Sequence, residues 1–197
     1  MNEKNMQTGN EVGRYRPAFC LYHPNSKGTG CAIKMDLHPA HDLVDGCIML
    51  KAANQVTIGN RQGPVPVFPR FAWENSICVK LDFNDLSGIL QVLRGECESV
   101  GGGRGLYHQS AKAATKIMFR HVLEPESSYS LDLYRSFRDG KEESHAHFVL
   151  NATEAMGLCE SISGSMSLIC FGIPMLVPHD TTAYRAEARE VAREEVA

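Results

Sequence analysis

One block of this sequence occurs twice, and a second block repeats in the same order behind it. Leu21-Tyr22-His23-Pro24-Asn25-Ser26-Lys27 returns 85 residues later as Leu106-Tyr107-His108-Gln109-Ser110-Ala111-Lys112. Asn84-Asp85-Leu86-Ser87-Gly88-Ile89-Leu90 corresponds to Thr153-Glu154-Ala155-Met156-Gly157-Leu158-Cys159, 69 residues on, and Gly95 registers with Gly164. The difference of 16 residues is about the length of the Pro- and Gly-rich stretch GNRQGPVPVFPRFAW in the first half. A chain with this pattern is a duplicated supersecondary unit, and the unit must be read before its parts.

Each half reads as four strands and a helix. In the first, residues 19–23 are a short apolar strand and Asn25-Ser26-Lys27-Gly28 a turn. From 31 to 37, Cys31, Ile33, Met35 and Leu37 alternate with Ala32, Lys34 and Asp36, the mark of a half-buried antiparallel strand. Residues 47–55 and 77–82 complete the set. Asn84 or Asp85 is the expected N-cap of a helix carrying Leu86, Ile89, Leu90 and Leu93, with Gly95 as its stop. In the second half the expected strands are 106–108, 115–124, 128–137 and 144–150, with a tight turn at Arg138-Asp139-Gly140-Lys141. A helix from Thr153 runs through Phe171 until Pro174 ends it. The fold class is therefore α+β: tandem ββββα units, two antiparallel four-stranded sheets each backed by a helix. Residues 17–175 form one domain of two repeats, 17–96 and 105–173. The polar segment 1–16 reads as flexible, and 176–197 as a tail that becomes helical only if something packs on it.

Composition removes several function classes. No apolar run reaches the ~18 residues a membrane span needs, and the polar start does not resemble a secretory signal. Seven scattered cysteines, none in a C-x-x-C pair, fit free thiols in a reducing cytoplasm. GGGRG lacks the Lys-Ser/Thr of a phosphate-binding loop, and no G-x-S-x-G elbow is present, so no catalytic motif and no cofactor are expected. The net charge of −3 opposes polyanion binding, although the tail from Arg185 holds four Glu against three Arg.

Two such units with a Lys-Gly at the first hairpin resemble the Whirly family of single-stranded DNA-binding proteins. More distantly they are similar to the mitochondrial RNA-binding proteins of kinetoplastids and to the Pur proteins. The stretches FNDLSGILQVLRGECESVGGGRGLYH, KIMFRHVLEPESSYSLDL and ATEAMGLCESISGSMSLICFGI carry the resemblance. The family's Lys-Gly-Lys-Ala-Ala-Leu hairpin reads here Lys27-Gly28-Thr29-Gly30-Cys31-Ala32, without the second lysine. The resemblance implies a homo-oligomer, four-fold in the family, that holds single-stranded DNA or RNA with little base readout.

Such a protein needs cations along the backbone path and flat surfaces for bases. The candidates are Lys27 with Gly28 and Gly30, where a ligand could approach the main chain, and Lys34, Lys51, Lys80, Lys112, Lys116 and Arg120 on strands and turns. Tyr22, Tyr107 and Phe19 are candidate platforms. Against this, exposed lysines commonly only solubilise and block edge pairing, and strand aromatics are usually core. Two other functions are open. His38, His41, His145 and His147 could together hold a metal in an enzyme. A scaffold could also have kept the fold and lost its ligand.

Overall fold

A computed structural model of the chain describes residues 18–41, 44–60, 65–124, 126–138 and 143–173. The expected leading segment, the stop at Pro174, the tail and most of the turn at 138–141 lie outside the described residues.

Strands β1 (Ala18–His23), β2 (Cys31–His38) and β3 (Cys47–Thr57) form an antiparallel meander. Two pieces share the far edge of β3: β4 (Arg70–Phe71) pairs with its end, and β5 (Ile77–Leu81) pairs along Ile48–Ala52. The first half thus has a strand the sequence did not announce, contributed by the Pro-rich insert. The second sheet is a regular meander of β6 (Leu106–Gln109), β7 (Ala113–Val122), β8 (Ser128–Phe137) and β9 (Ser144–Asn151). Here β7 starts and ends two residues earlier than the alternation suggests, because Ala113 and Thr115 already face inward.

Helix α1 (Phe83–Leu93) begins earlier than expected, with Asp82 rather than Asn84 or Asp85 as N-cap. Asp82 Oδ1 accepts from the amides of Asn84 and Asp85, and Asp85 Oδ2 accepts from the Asp82 amide. Asn151 and Glu154 repeat this reciprocal box at the start of α2 (Ala152–Phe171). Both cap positions obey the 69-residue offset. The helices then differ. Chain direction changes at Gly95 after α1, whereas the matching Gly164 lies inside α2, which runs on to Phe171.

The extra turns of α2 are held by the loop after β2. Ala40 and Gly46 donate their amides to the carbonyls of Leu168 and Ile169 at 3.0 and 3.2 Å, so that Leu168 O is shared with the Gly172 amide and Ile169 O gains a partner at the helix end. A Cβ on Gly46 would stand 2.6 Å from the Ile169 backbone, so this crossing requires glycine. Ala40 and Gly46 therefore clamp the end of α2.

Both halves share one core, and each helix reaches the other half's sheet as well as its own. Leu158 and Ile162 of α2 line an apolar hollow with Phe19, Met35, Leu37 and Ile48 from β1, β2 and β3. Conversely, α1 lies against β7, and its terminal carbonyl at Leu93 faces the Tyr129 hydroxyl of β8 at 3.5 Å. At one corner the sheets touch directly, where Asn54 Nδ2 of β3 donates to the His145 carbonyl of β9 at 2.9 Å.

Candidate nucleic-acid interface

With the apolar face of each sheet spent on the core, the opposite face is left for chemistry. On the first sheet this outward face carries Ala18, Cys20 and Tyr22 of β1, Lys34 and Asp36 of β2, Met49 and Lys51 of β3, and Lys80 of β5. Register places Cys20, Lys34, Lys51 and Cys78 in one cross-strand row, and Ala18, Asp36, Met49 and Lys80 in the next. The Asp36 carboxylate joins the two rows. It lies 3.1 Å from Lys34 Nζ and 3.6 Å from Lys51 Nζ, and its hydrogen bond to Lys34, with their mutual charge, raises the Lys34 pKa.

Beside these cations stands an aromatic cluster. The exposed Tyr22 ring centroid is 5.7 Å from Phe71 and 6.3 Å from Trp73, the latter edge-on. Phe71 and Trp73 come from the insert, which folds back along β3. A hollow of about 480 Å³ lies here, lined by Tyr22, Trp73, Lys34 and Lys51. Its size suits a nucleobase, with ring faces and ammonium groups on its walls.

The outward face of the second sheet repeats the theme. Tyr107, Lys116, Tyr134 and His145 form one cross-strand row, with Tyr134 and His145 stacked at 4.4 Å and 5°. Lys116 and Arg120 share this face of β7, both exposed. Beneath the row, the buried Asp132 carboxylate accepts from Ser130 Oγ at 2.8 Å and meets His145 Nε2 at 3.0 Å and His147 Nδ1 at 2.8 Å. Burial opposes its ionisation, but these three hydrogen bonds outweigh it and hold the Asp132 pKa below the usual carboxylate range.

Between the sheet ends runs a groove of about 970 Å³. Lys112, Arg135 and Arg138 face Glu74 and Ser76 across it, and the Arg135 guanidinium sits 5.6 Å over the Phe137 ring.

No protein-family model matches the sequence, and no curated protein matches it significantly. Solved structures do match. WHY3 from Arabidopsis thaliana superposes over 91% of this chain and 98% of its own, at 13% identity and a TM-score of 0.62. The plant transcriptional regulator PBF-2 matches over 79% of this chain and 83% of its own, at 13% identity and 0.60. A guide-RNA-binding protein complex bound to its guide RNA matches over 78% and 91%, at 15% identity and 0.53. The fold is that of the Whirly proteins.

Within this Whirly fold the residues singled out from sequence fall into three groups. Lys34, Lys51, Lys80 and Tyr22 share the first face, and Lys116, Arg120 and Tyr107 the second. The repeat-related Lys27 and Lys112 do not meet in one groove. Lys112 lines the inter-sheet groove, while exposed Lys27 rides the β1–β2 turn, where Asn25 Oδ1 accepts its amide at 3.0 Å. Gly30 and Phe19 are corrections. Gly30 is buried: its amide is bonded to Gln55 Oε1 at 3.1 Å, and a Cβ would stand 2.2 Å from the His23 carbonyl. Gly28 keeps a turn position with φ of +72°. Phe19 faces the core.

The four-histidine metal site is also corrected. His145 sits at the corner where Asn54 reaches β9, and Asn54 pairs with Cys31 at the start of β2. His38 is at the other end of β2, seven residues and ~23 Å away at ~3.3 Å per residue. Among the described residues no group of three or more His, Cys, Asp or Glu could hold a metal ion. Sequence reasoning also missed Phe71, Trp73, Tyr134, Arg135 and Arg138. Phe71 and Trp73 were visible only as part of an insert, and Arg135 as one residue of an apolar strand.

Proposed function

We propose that this chain binds single-stranded nucleic acid, DNA in preference to RNA, across the outward faces of its two sheets and with little base readout. The observation that carries the reading is the hollow where Tyr22 and Trp73 stand beside Lys34 and Lys51. Cations neutralise phosphates while rings stack on bases of any sequence, which is what sequence-tolerant single-strand binding requires. Structures of the same fold include a transcriptional regulator and a complex bound to guide RNA, which supports the reading. Lys116, Arg120 and Tyr107 would extend the path over the second sheet, and Lys112, Arg135 and Arg138 would bridge the two. Assembly into a tetramer would multiply these faces without any new contact. The role proposed is binding rather than catalysis.

Fluorescence anisotropy with labelled oligo-dT, the matching oligo-rU and a duplex of equal length tests this. Tighter binding to the single strands at low salt, weakening linearly with log salt, is the expected result. Equal affinity for duplex would overturn it.

One observation favours a second reading, a scaffold without a ligand: Asp36 occupies both Lys34 and Lys51. A stable multimer that purifies with a protein-like 260/280 ratio and binds no oligonucleotide would support that reading instead.

A further inference from the structure

Two neutral histidines cannot both stay indifferent when they share one carboxylate oxygen. Asp132 Oδ1 lies 3.0 Å from His145 Nε2 and 2.8 Å from His147 Nδ1. An ionised carboxylate only accepts, so each ring must place a proton on the nitrogen that faces it. That fixes both tautomers and leaves His145 Nδ1 and His147 Nε2 as lone-pair acceptors. About half of each side chain is exposed, at 47% and 51%, on the face that carries Lys116 and Arg120. At alkaline pH this pair therefore offers acceptors to a ligand made of acceptors. A second proton on each ring converts both into charged donors.

We propose that His145 and His147 are proton-dependent phosphate contacts, so that nucleic acid binding to the second sheet is coupled to proton uptake. This rests on the binding function proposed above and names its regulation. The charged and titratable groups facing the pair are Lys116 and Arg120 of β7, Tyr107 of β6, Asp132 and Tyr134 of β8, and Glu143 just before β9, which accepts from Ser136 Oγ at 2.8 Å. Lys116 and Arg120 supply two positive charges, and Asp132 and Glu143 two negative. Charging both histidines takes the face from no net charge to two positive charges. Without a polyanion the two new charges repel each other and Lys116, and they must share the one Asp132 carboxylate. A phosphate backbone across the row removes that penalty, so ligand and proton favour each other reciprocally. The outward face of the first sheet carries Lys34, Lys51, Lys80 and Asp36 with one histidine, His38 at the end of β2, and no second histidine beside it, so it lacks this paired response.

The test measures oligo-dT affinity of the full chain at about pH 5.5 and about pH 8, on either side of the ordinary histidine range. Wild type should bind roughly tenfold or more tightly at the lower pH. At that pH two extra phosphate contacts should steepen the salt slope by up to ~1.4 units. In the His145→Gln, His147→Gln variant the affinity ratio between the two pH values should fall to about threefold or less. Calorimetry of wild type near pH 6.5, in buffers of different ionisation enthalpy, should show net proton uptake on binding. Binding with no proton uptake, or with the same pH ratio in the variant, overturns this inference and leaves the binding function standing. Absence of binding at every pH overturns that function and this inference with it.

Discussion

His23 Nε2 of β1 lies 2.6 Å from Glu154 Oε1 of α2, and its repeat partner, His108 of β6, has Nε2 3.1 Å from Asp85 Oδ2 of α1. Each histidine opens its own half and reaches the N-terminal capping carboxylate of the other half's helix. The two contacts are thus one relationship made twice, and they cross. His23 also stacks on the buried Phe148 of β9 at 4.3 Å, so it joins the halves through ring and ring nitrogen together.

Removing this clasp should loosen the two halves from each other. His23→Ala should cost about 1–3 kcal/mol in urea unfolding, the range for a lost charge-assisted hydrogen bond. In a double-mutant cycle with Glu154→Ala the coupling should be at least ~0.5 kcal/mol. Additive losses would mean that the contact is incidental.

Lys34→Ala with Lys51→Ala should weaken oligo-dT binding and lower the salt slope by about 1.4 units, 0.7 for each lost phosphate contact on a single strand. Asp36→Asn should act in the opposite direction, because the carboxylate now neutralising both lysines is gone. Tighter binding with a steeper slope is the expected anisotropy result.

Trp73 is the sole tryptophan of the chain and stands at the edge of the Tyr22 ring. Its fluorescence should be quenched by oligo-dT. Tyr22→Ala should reduce affinity by ~1–3 kcal/mol with the salt slope unchanged, since stacking releases no counterions. A change in slope without a change in quenching would assign Tyr22 to folding rather than to base contact.

Gln55 organises the first hairpin from beneath. Its Oε1 accepts from the amides of Asn25 and Gly30 at 2.9 and 3.1 Å, and its Nε2 donates to the carbonyls of Asn25 and Thr57 at 3.1 and 3.0 Å. Gln55→Leu would leave the buried Gly30 amide without a partner, at about 1–3 kcal/mol, and thermal unfolding should fall by several degrees. Hydrogen exchange should rise first at Asn25 and Gly30.

The Asp132 pKa is lowered in the folded chain, so its ionised form stabilises the fold above the unfolded value of about 3.9. That contribution disappears as pH falls through the lower, folded value. Asp132→Asn should therefore be less stable than wild type near neutrality, and the gap should close below about pH 4. Asp85 has the opposite sign. Burial raises its pKa against the lowering effect of the Asp82 amide and His108, so its contribution is present in acid and lost as pH rises through the folded value. Stability curves of the two Asn variants against pH should slope in opposite directions.

Local periodicity and local capping are properties of short segments, and those were legible in the chain. The alternation in Cys31–Leu37 fixed which side chains enter the core and turned Lys34 outward, and the paired LYH and helix blocks fixed the duplication. Helix starts were misplaced by one to three residues, because Asp82 and Asn151 cap from extended backbone that periodicity does not mark. What the sequence could not decide was which helix covers which sheet. An apolar stripe such as Leu158 and Ile162 fits any apolar sheet face, and only assembly of the single core sends it across to the other half. For the same reason Trp73 and Phe71 joined Tyr22, and His145 and His147 met Asp132, only in three dimensions. Those contacts depend on strand register and on an insert folding back, which no segment of the chain specifies alone.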